Sequence, residues 1–501
     1  HLPERSGRDQ LLAGITGSRG NRRGTQTQTT PRRVRRAYRH IRHDHKDGER
    51  GRSLKVEGGR QKDDGIPIGE WVDNEIDRSG PSGTGDFVYV DIGSVDRNSK
   101  VIVDAKALAI EKAPSRAKQV LRAGDVLVSM TRPNLNAVAI VPPKLDGAIG
   151  STGFHVLRAR HAVPGFLYYA VQSRTFIEAM CLKVQGALYP AVRPNDISAF
   201  CLPPFALGYQ RKLVALIEEL FSELDAGEES LRRARRKLGV YRQSLLKQAF
   251  EGKLTERWRE RNSQQVEILW RKVEVSEILT SKPTNGRSVK DRTGGFKVLR
   301  LTALKGGKID LREYKEGDWD AAEAANHVVR KGDFLLSRGN GSIKLVGRGG
   351  IVMENADIAF PDTMIRLPLD LCLVDPSFFV YLWNSEQVRR QIEDSARTTA
   401  GIYKINQGLL TRYTVPLCSL PEQQEIVRLL DEQFTVIEQN EREIDAALKR
   451  SEALRQSILK KAFTGQLVPQ DPNDEPASTL LERIRAERES KATAPKKKSP
   501  A

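Results

Sequence analysis

Cysteine is scarce in this chain, and long apolar runs are missing. Its 501 residues include four cysteines, no two of them at metal-ligand spacing: Cys181, Cys201, Cys372 and Cys418. So few cysteines in a chain of this size exclude a disulfide scaffold and fit a reducing cytosol. No segment is apolar over the length needed to cross a bilayer, and no charged-then-apolar signal peptide occurs. We therefore expect a soluble, cytoplasmic protein without a membrane partner.

The motifs of common DNA-modifying enzymes are missing too. The sequence has no Gly-x-x-x-x-Gly-Lys-Ser/Thr loop for ATP, and no Asn/Asp-Pro-Pro-aromatic loop or Gly-rich cofactor turn of an adenine methyltransferase. Residues 141–144 (Val-Pro-Pro-Lys) lack the polar residue and the aromatic one, and residues 339–341 (Gly-Asn-Gly) are interpreted as a turn. Pro361-Asp362 lacks the downstream acid-x-Lys of a common nuclease core. Together these absences favour a binding protein over an enzyme.

Acidic residues are fewer than basic ones, and this excess of positive charge indicates a polyanionic partner. The formal net charge is +18, so nucleic acid is the first expectation and an anionic membrane surface the second. Much of that charge lies in residues 1–60, which hold 16 Lys/Arg against 6 Asp/Glu. Residues 1–65 lack apolar periodicity and begin with His, so we expect a disordered basic leader or a mis-called start. The cluster His40, His43 and His45 lacks a second ligand set and is interpreted as part of that tail, not as a metal site.

The chain contains an internal repeat. Residues 202–254 align without a gap with residues 415–467, at an offset of 213. About a third of the positions are identical, and the identical pairs include Pro203/Pro416, Gln210/Gln423, Val214/Val427, Phe221/Phe434, Gln243/Gln456, Ser244/Ser457, Lys247/Lys460, Ala249/Ala462, Phe250/Phe463, Gly252/Gly465 and Leu254/Leu467. Weaker matches extend upstream: 124–129 with 332–337, 166–173 with 378–385, and 186–189 with 400–403. Each half is therefore expected to be a globular domain followed by a long helix.

The globular parts of the two halves are predicted to be mixed α/β domains. Short β-branched runs at 101–103, 126–128 and 351–352 are predicted as strands, separated by Gly, Pro, Asn and Asp. The Gly-Asp pairs at 124–125 and 332–333 are interpreted as structural turns entering a strand, in preference to catalytic aspartates.

The repeated helix has the spacing of a coiled-coil seam. Apolar residues recur at three and four positions in both copies: Ile217, Leu220, Leu224, Leu231, Ala234, Leu238, Tyr241 and Leu245, and Leu430, Ile437, Ile444, Ala447, Leu454 and Ile458. Gly227 and Asn440 interrupt the seam at equivalent sites, and Gly252 and Gly465 are expected as C-terminal caps. A helix of about 40 residues would be roughly 60 Å long. Alternatives are a homodimer zipper or packing within each domain, but two equivalent helices favour antiparallel pairing within one chain.

These segments resemble the conserved regions of type I restriction-modification specificity subunits. The second copy carries the resemblance at 415–416, 420–427 and 462–467, and the first copy at 202–204 and 249–254. The likeness covers about residues 66–480. The first copy departs from it, because Leu-Gly-Tyr-Gln-Arg (207–211) stands where the second has Leu-Pro-Glu-Gln-Gln (420–424), and the Arg-rich leader is unusual for the family.

The resemblance implies an α+β protein in which two mixed α/β target-recognition domains alternate with two long helices, paired as an antiparallel intramolecular coiled coil with pseudo-twofold symmetry. The expected segments are the leader (1–65), a first target-recognition domain (66–205), a central conserved helix (206–262), a second target-recognition domain (263–418), a distal conserved helix (419–470) and a C-terminal extension with a Lys-rich tail (471–501).

The resemblance also implies a division of labour. Each target-recognition domain would read one half of a split double-stranded DNA site, and the helices would fix the spacing between half-sites. The helices would dock two methyltransferase (M) subunits, and restriction (R) subunits would complete the complex. S-adenosylmethionine, ATP and Mg are expected on those partners, with no cofactor, metal or catalytic residue in this chain. The alternatives are a self-contained DNA methyltransferase or nuclease, and a coiled-coil scaffold.

Polar and basic residues in matching loops are the candidate DNA contacts, because Arg and Asn suit bidentate reading of guanine and adenine. They are Arg132, Asn134, Tyr189 and Arg193 in the first domain, and Arg338, Asn340, Lys344, Tyr403 and Lys404 in the second. For each, an ordinary solvated residue is the alternative. A basic run on the first helix (Arg232, Arg233, Arg235, Arg236 and Lys237) could contact phosphates or form a solvated face.

Overall fold

A computed structural model describes residues 65–73, 75–185, 190–262, 270–399, 401–469 and 475–493. The leader with its three histidines and the Lys-rich end therefore lie outside the described residues. The chain divides into two compact units. The first runs to Ala226 and resumes at Arg450, and the second is Gly227–Lys449. Each long helix contributes one part to each unit.

The helices and strands confirm a mixed α+β fold with two long helices. The helices are α1 (Ile68–Trp71), α2 (Pro164–Ala170), α3 (Arg174–Leu182), α4 (Pro194–Ser198), α5 (Leu207–Phe250), α6 (Glu256–Asn262), α7 (Ala321–Ala324), α8 (Pro376–Trp383), α9 (Glu386–Ser395), α10 (Gln407–Leu410), α11 (Leu420–Phe463) and α12 (Ala477–Thr493).

The strands are short and numerous, as the Gly, Pro and Asn punctuation predicts. They are β1 (Ile66–Pro67), β2 (Val72–Asp73), β3 (Asp86–Val90), β4 (Val95–Asp96), β5 (Val101–Ile102), β6 (Lys106–Ala109), β7 (Ala117–Val120), β8 (Val126–Ser129), β9 (Val138–Ile140), β10 (Ile149–Ser151), β11 (Phe154–Ala159), β12 (Cys201–Leu202), β13 (Arg271–Glu274), β14 (Thr284–Asn285), β15 (Asp291–Leu299), β16 (Leu304–Lys305), β17 (Lys308–Ile309), β18 (Tyr314–Gly317), β19 (Phe334–Ser337), β20 (Gly339–Asn340), β21 (Gly349–Ile351), β22 (Met364–Leu367), β23 (Arg397–Thr399), β24 (Ile402–Lys404) and β25 (Thr414–Leu417). The strand predicted at 126–128 is confirmed, whereas the strand predicted at 101–103 ends at Ile102 and the one predicted at 351–352 ends at Ile351.

The first unit is built on two four-stranded sheets, in the orders β6-β3-β10-β7 and β2-β11-β8-β9. Every residue of β8 is buried, which explains its continuous apolar run. The main core gathers Trp71 and Phe166 with apolar residues from three later segments. Those residues are Leu213, Ile217 and Leu220 of α5, Leu459 and Ala462 of α11, and Leu480 and Ile484 of α12. The core of the first unit is thus formed by residues that precede the second unit in the sequence and by residues that follow it.

The second unit centres on a six-stranded sheet in the order β14-β22-β19-β21-β17-β16. Aromatic side chains pack on it, with the Phe334 ring 4.9 Å from that of Phe379 and 5.7 Å from that of Trp383 between centroids. The end of α5 and the start of α11 complete this core through Leu245, Phe250, Ile426, Leu430 and Ile437. A three-stranded sheet, β20-β24-β23, projects from the same unit.

The two long helices repeat each other closely. Both have 44 residues, and their first residues, 207 and 420, differ by the offset of 213 found in the sequence. Each ends in a Schellman cap, in which Gly252 (φ +73°) and Gly465 (φ +72°) adopt the left-handed conformation. The backbone N–H groups of Lys253 and Gln466 reach back to the carbonyls of Gln248 and Lys461. The predicted C-terminal caps are confirmed.

In α5 the predicted seam is buried at its ends and more exposed in its middle. Ile217 and Leu245 are buried, whereas Leu231 and Leu238 are half-buried and Ala234 is exposed. The assignment of Ala234 to a buried seam is therefore wrong. In α11, Ile437 and Ile444 are buried in the middle of the helix and Ala447, the equivalent of Ala234, is half-buried. Both helices also continue through Gly227 and Asn440, so neither interruption breaks a helix.

The Gly-Asp turns have the structural role that the sequence predicts. Gly124 (φ +88°) and Gly332 (φ +90°) supply the left-handed backbone of each turn. Asp125 accepts two hydrogen bonds from Arg158, at 2.9 and 2.7 Å, and Asp333 lies 3.5 Å from Arg366. Each carboxylate thus contacts an arginine of a strand in its own unit, as a structural residue would. Burial raises the pKa of Asp333 although Arg366 opposes that effect.

Candidate nucleic-acid interface

In the first unit, the loop after β8 is held in an unusual backbone conformation. Lys100, Arg132 and Asn136 are the non-glycine residues with positive φ in the described ranges, and they meet at this loop. The Nδ2 of the buried Asn136 donates to the Val171 carbonyl at 2.8 Å, and Lys100 Nζ donates to the Asn136 carbonyl at 2.5 Å. Left-handed backbone costs about 1–2 kcal/mol per non-glycine residue. Such strain, held in place by surrounding contacts, is typical of functional loops.

This loop turns candidate side chains towards solvent. Arg132 and Asn134 are both exposed, at either side of the buried Pro133. The backbone N–H of Arg132 donates to the Pro190 carbonyl at 2.8 Å, and that of Val192 donates to Met130 at 2.9 Å. The exposed Arg193 follows directly, so the two predicted clusters of the first unit are brought side by side. The fourth candidate, Tyr189, lies outside the described residues.

In the second unit, a small sheet unites four of the five candidates. Asn340 on β20 pairs with Tyr403 on β24, and Gly339 pairs with Lys404. The carbonyl of Arg338 accepts from the Ile405 N–H at 3.0 Å, which fixes the start of this sheet. Residues 339–340 are a strand, so the predicted turn there is wrong. The turn begins one residue later, where Asn340 Oδ1 accepts from the Ser342 N–H at 3.0 Å. The fifth candidate, Lys344, is exposed on the loop that follows.

The two units build this region with the same backbone contacts. The bond from the Val192 N–H to Met130 in the first unit corresponds to that from the Ile405 N–H to Arg338 in the second. Arg193 and Asn406 then occupy equivalent places, since each precedes a short helix, α4 or α10. The backbone equivalent of Arg193 is therefore Asn406, and not Lys404 as the sequence comparison suggests.

Several cations of this region have no acidic partner. Some exposed cations elsewhere in the second unit are paired, such as Arg292 with Asp318 at 2.8 Å and Arg312 with Asp310 at 3.0 Å, whereas others, such as Lys308, have no ion pair among the described residues. No ion pair within the described residues involves Arg338, Lys344, Arg397 or Lys404. Cations left without a counter-charge on one surface form the electrostatic footprint of a polyanion site. Arg397 was missed from the sequence. The β-prone Arg-Thr-Thr before Ala-Gly is the signal that could have revealed its strand.

The basic run on α5 has a different character. Arg232 lies 3.7 Å from Glu228, Arg233 4.0 Å and Arg236 2.9 Å from Glu229, and Arg235 2.8 Å from Asp445. Four of its five cations therefore have carboxylate partners, which favours the solvated helix face over a phosphate-binding patch.

Among the residues that the structure describes, no helix is long and apolar enough to cross a membrane. Over the same residues, no group of three or more His, Cys, Asp or Glu side chains is arranged to hold a metal ion.

Comparisons with known proteins point to one family, although no family model matches the chain. The specificity subunit of the type I restriction enzyme EcoKI from Escherichia coli K12 is 28% identical over 335 residues, which cover 65% of this chain and 72% of the relative. The corresponding StySPI subunit from Salmonella potsdam is 28% identical over 336 residues, with the same coverage. A chain from a solved structure concerning assembly and conformational transition of the type I R-M system superposes with a TM-score of 0.65 at 26% identity, covering 80% of this chain and 97% of that one. The protein is thus a relative of the specificity subunits of type I restriction-modification systems.

Proposed function

We propose that this chain is the DNA sequence-specificity subunit of a type I restriction-modification complex, recognising a bipartite target and directing the methyltransferase and restriction subunits to it. The observation that carries the proposal is the recurrence in both units of one construction. In each, the segment that follows a Gly-Asp turn and its strand is joined by backbone hydrogen bonds to a later segment. Both places present exposed cations that have no ion pair among the described residues, such as Arg132 and Arg193 in the first unit and Lys344 and Lys404 in the second. Two such surfaces on two divergent domains suit two different half-sites.

The DNA contacts in this proposal are the candidates predicted from the sequence. Arg132, Asn134 and Arg193 would contact one half-site, with Tyr189 beside them in the chain. Arg338, Asn340, Lys344 and Lys404 would contact the other, and Tyr403, which packs against the core, would hold the strand that carries Lys404 in place. Arginine is suited to the O6 and N7 acceptors of guanine, and lysine to guanine or to phosphate.

The two long helices would pair as an antiparallel coiled coil that fixes the half-site spacing, with pseudo-twofold symmetry relating the halves. Contacts inside each unit support this pairing. In the first unit, Arg455 of α11 lies 2.5 Å from Asp225 of α5 and 4.9 Å from the centre of the Phe221 ring. In the second, Tyr241 of α5 donates to Gln433 of α11 at 3.2 Å. The beginning of each helix is thus beside the end of the other.

The partners follow from the family. Two methyltransferase subunits would dock on the conserved helices, and restriction subunits would join the full complex. S-adenosylmethionine, ATP and Mg would be bound by those partners, and this chain would act without catalysing a reaction.

Methylation mapping in cells with and without the gene tests the proposal. Deleting the gene should abolish one bipartite adenine-methylation motif, and restoring it should restore the motif. If no motif is lost, the proposal is wrong. The purified chain should transfer no methyl group from labelled S-adenosylmethionine to DNA unless methyltransferase subunits are added. Incorporation by the chain alone would instead identify a self-contained enzyme.

A further inference from the structure

The strand pair β23–β24 of the second unit has one face turned to solvent. Its register places Arg397 opposite Lys404, Thr398 opposite Tyr403, and Thr399 opposite Ile402. Alternate residues of a strand point to opposite faces. Tyr403 is half-buried and packs against the second unit's main core, so its face is the inner one. Arg397, Ile402 and Lys404 therefore share the outer face, and all three are exposed.

The charges on that outer face oppose each other. Arg397 and Lys404 stand directly across the strand pair, and like charges in this position destabilise a sheet. Neither has an acidic partner among the described residues, whereas in another strand pair of the same unit, β15–β18, Lys315 forms an ion pair with Asp291. The fold therefore gains nothing from this arrangement. A polyanion placed over the face would turn the repulsion into two favourable contacts.

An apolar side chain lies beside these charges on the same face. Ile402 is 44% exposed although it belongs to a strand. It extends over the neighbouring strand at Gly339, where a Cβ would stand 3.6 Å from Ile402 Cγ2 and 3.4 Å from Lys404 Cγ. Because Gly339 has no side chain, the face stays shallow and Ile402 is its most prominent apolar group.

The major groove of DNA, about 12 Å wide, admits a two-stranded β-ribbon. Within it, thymine presents a 5-methyl group, the one apolar feature of the base edges, which aliphatic side chains contact. Resting on the proposed DNA-specificity function, we propose that β23–β24 enters the major groove of the half-site read by the second unit. Ile402 packs against a thymine 5-methyl group there, and Arg397 and Lys404 contact the phosphates beside it.

Replacing thymine with deoxyuridine removes only the methyl group and tests the contact. The complex with methyltransferase subunits is bound to its mapped target, with each thymine of the half-site substituted in turn. One substitution should weaken binding by the wild type about fourfold, the effect of one buried methyl group. Ile402→Ala should weaken binding to the thymine target by a similar factor and should not respond to deoxyuridine at that position. Leu371→Ala, which alters an apolar residue of the same unit that is 54% exposed, is the matched control and should behave as wild type.

The charges are tested by the salt dependence of the same binding reaction. Arg397→Gln and Lys404→Gln should each lower the slope of log affinity against log salt by about one, while leaving the unfolding midpoint unchanged or higher. Lys305→Gln, at a cation already paired with Glu313 at 2.8 Å, should leave the slope unchanged.

The outcomes separate the two proposals. If the wild-type complex binds no specific sequence, the proposed function itself fails. If it binds specifically, the contact proposal is overturned by a second half-site without thymine, or by an Ile402→Ala variant that keeps the wild-type response to every deoxyuridine.

Discussion

Gln210 and Gln423, which stand 213 positions apart, make the same pair of backbone hydrogen bonds in their respective units. Gln210 Oε1 accepts from the Val163 N–H at 2.9 Å, and its Nε2 donates to Phe205 at 2.7 Å. Gln423 Oε1 accepts from the Asp375 N–H at 2.8 Å, and its Nε2 donates to Cys418 at 2.8 Å. Each fully buried amide ties the start of a long helix to the residue that precedes α2 or α8. This explains why Gln persists in the first copy although the adjoining Pro and Glu do not.

Replacing either glutamine with leucine should destabilise its own unit. Gln210→Leu leaves two partly buried backbone groups without their hydrogen bonds, and Gln423→Leu leaves three buried or partly buried ones, because Gln423 Nε2 also donates to the Leu373 carbonyl at 2.9 Å. Each unpaired group costs roughly 1–3 kcal/mol. Hydrogen exchange should show lost protection at 163–170 for the first variant and at 375–383 for the second. Equal loss in both units from one substitution would contradict this local role.

Glu422→Ala should be one of the most damaging substitutions in the second unit. Glu422 Oε1 accepts from Thr255 at 2.7 Å, Arg259 at 2.5 Å and Trp270 at 3.0 Å, which holds the segment after α5 against the start of α11. Removing one partner of a buried ion pair costs about 3–5 kcal/mol. Urea unfolding should show the loss, while Glu432→Ala, at an exposed pair with Arg428 on the same helix, should change stability by less than about 0.5 kcal/mol.

His155 should make the first unit less stable in weak acid. Burial, with a smaller effect of Arg78, lowers the pKa of His155 to about 4 from its usual 6.5. The folded state therefore binds fewer protons than the unfolded chain between these values. His155 therefore costs no stability above pH 6.5. As the pH decreases towards 4, its protonation in the unfolded chain lowers the free energy of unfolding by at most about 3 kcal/mol.

The measurement for His155 is the unfolding free energy between pH 7 and pH 4. His155→Gln can keep a hydrogen bond to Ser198 Oγ, which lies 3.1 Å from Nε2 in the wild type, but it cannot titrate. This variant should show a flatter profile over that range. A profile as steep as that of the wild type would assign the acid sensitivity to other groups.

Under the proposed function, substitutions in the two units should affect different halves of the target. Arg132→Met should relax the sequence requirement in one half-site and Arg338→Met in the other, each by about 5- to 150-fold in discrimination, the range for one bidentate base contact. Genome-wide methylation mapping with each variant measures this directly. Arg174→Met and Arg312→Met, at exposed ion-paired arginines, are the controls and should leave both halves unchanged.

The long helices were the part of the fold that could be predicted most fully. Their heptad spacing is a local signal, and the repeat supplied a second copy of it. The exposure of Ala234 could not be predicted, because the burial of a helix position depends on which side chains of the folded chain pack against it. The hydrogen bonds from Thr255, Arg259 and Trp270 to Glu422 could not be predicted either, because no sequence motif marks these residues as neighbours in the fold.

The candidate interface was predictable in outline. Matching the segments around Arg338 and Lys404 to loops in the first half located two of the three strands of the small sheet, β20 and β24, although 66 positions separate these two residues in the chain. The pairing register was not available from the sequence. It is the register that sets Arg397 against Lys404, turns Tyr403 inwards and turns Ile402 outwards.

The first core takes residues from both sides of the second unit in the sequence, and this bears on how the protein is made. Residues 227–449 separate Leu220 of that core from Leu459. At roughly 5–20 residues per second, a ribosome needs about 10–45 s to cross that interval. During this time the apolar residues of the first unit that have already been synthesised lack the rest of their core. The second unit is continuous in sequence and can fold as it leaves the ribosome. A chain terminated soon after Lys449 would therefore keep the complete sequence of its second unit but lack part of the core of its first. A truncation at the carboxyl end would thus destabilise the domain that is translated earliest.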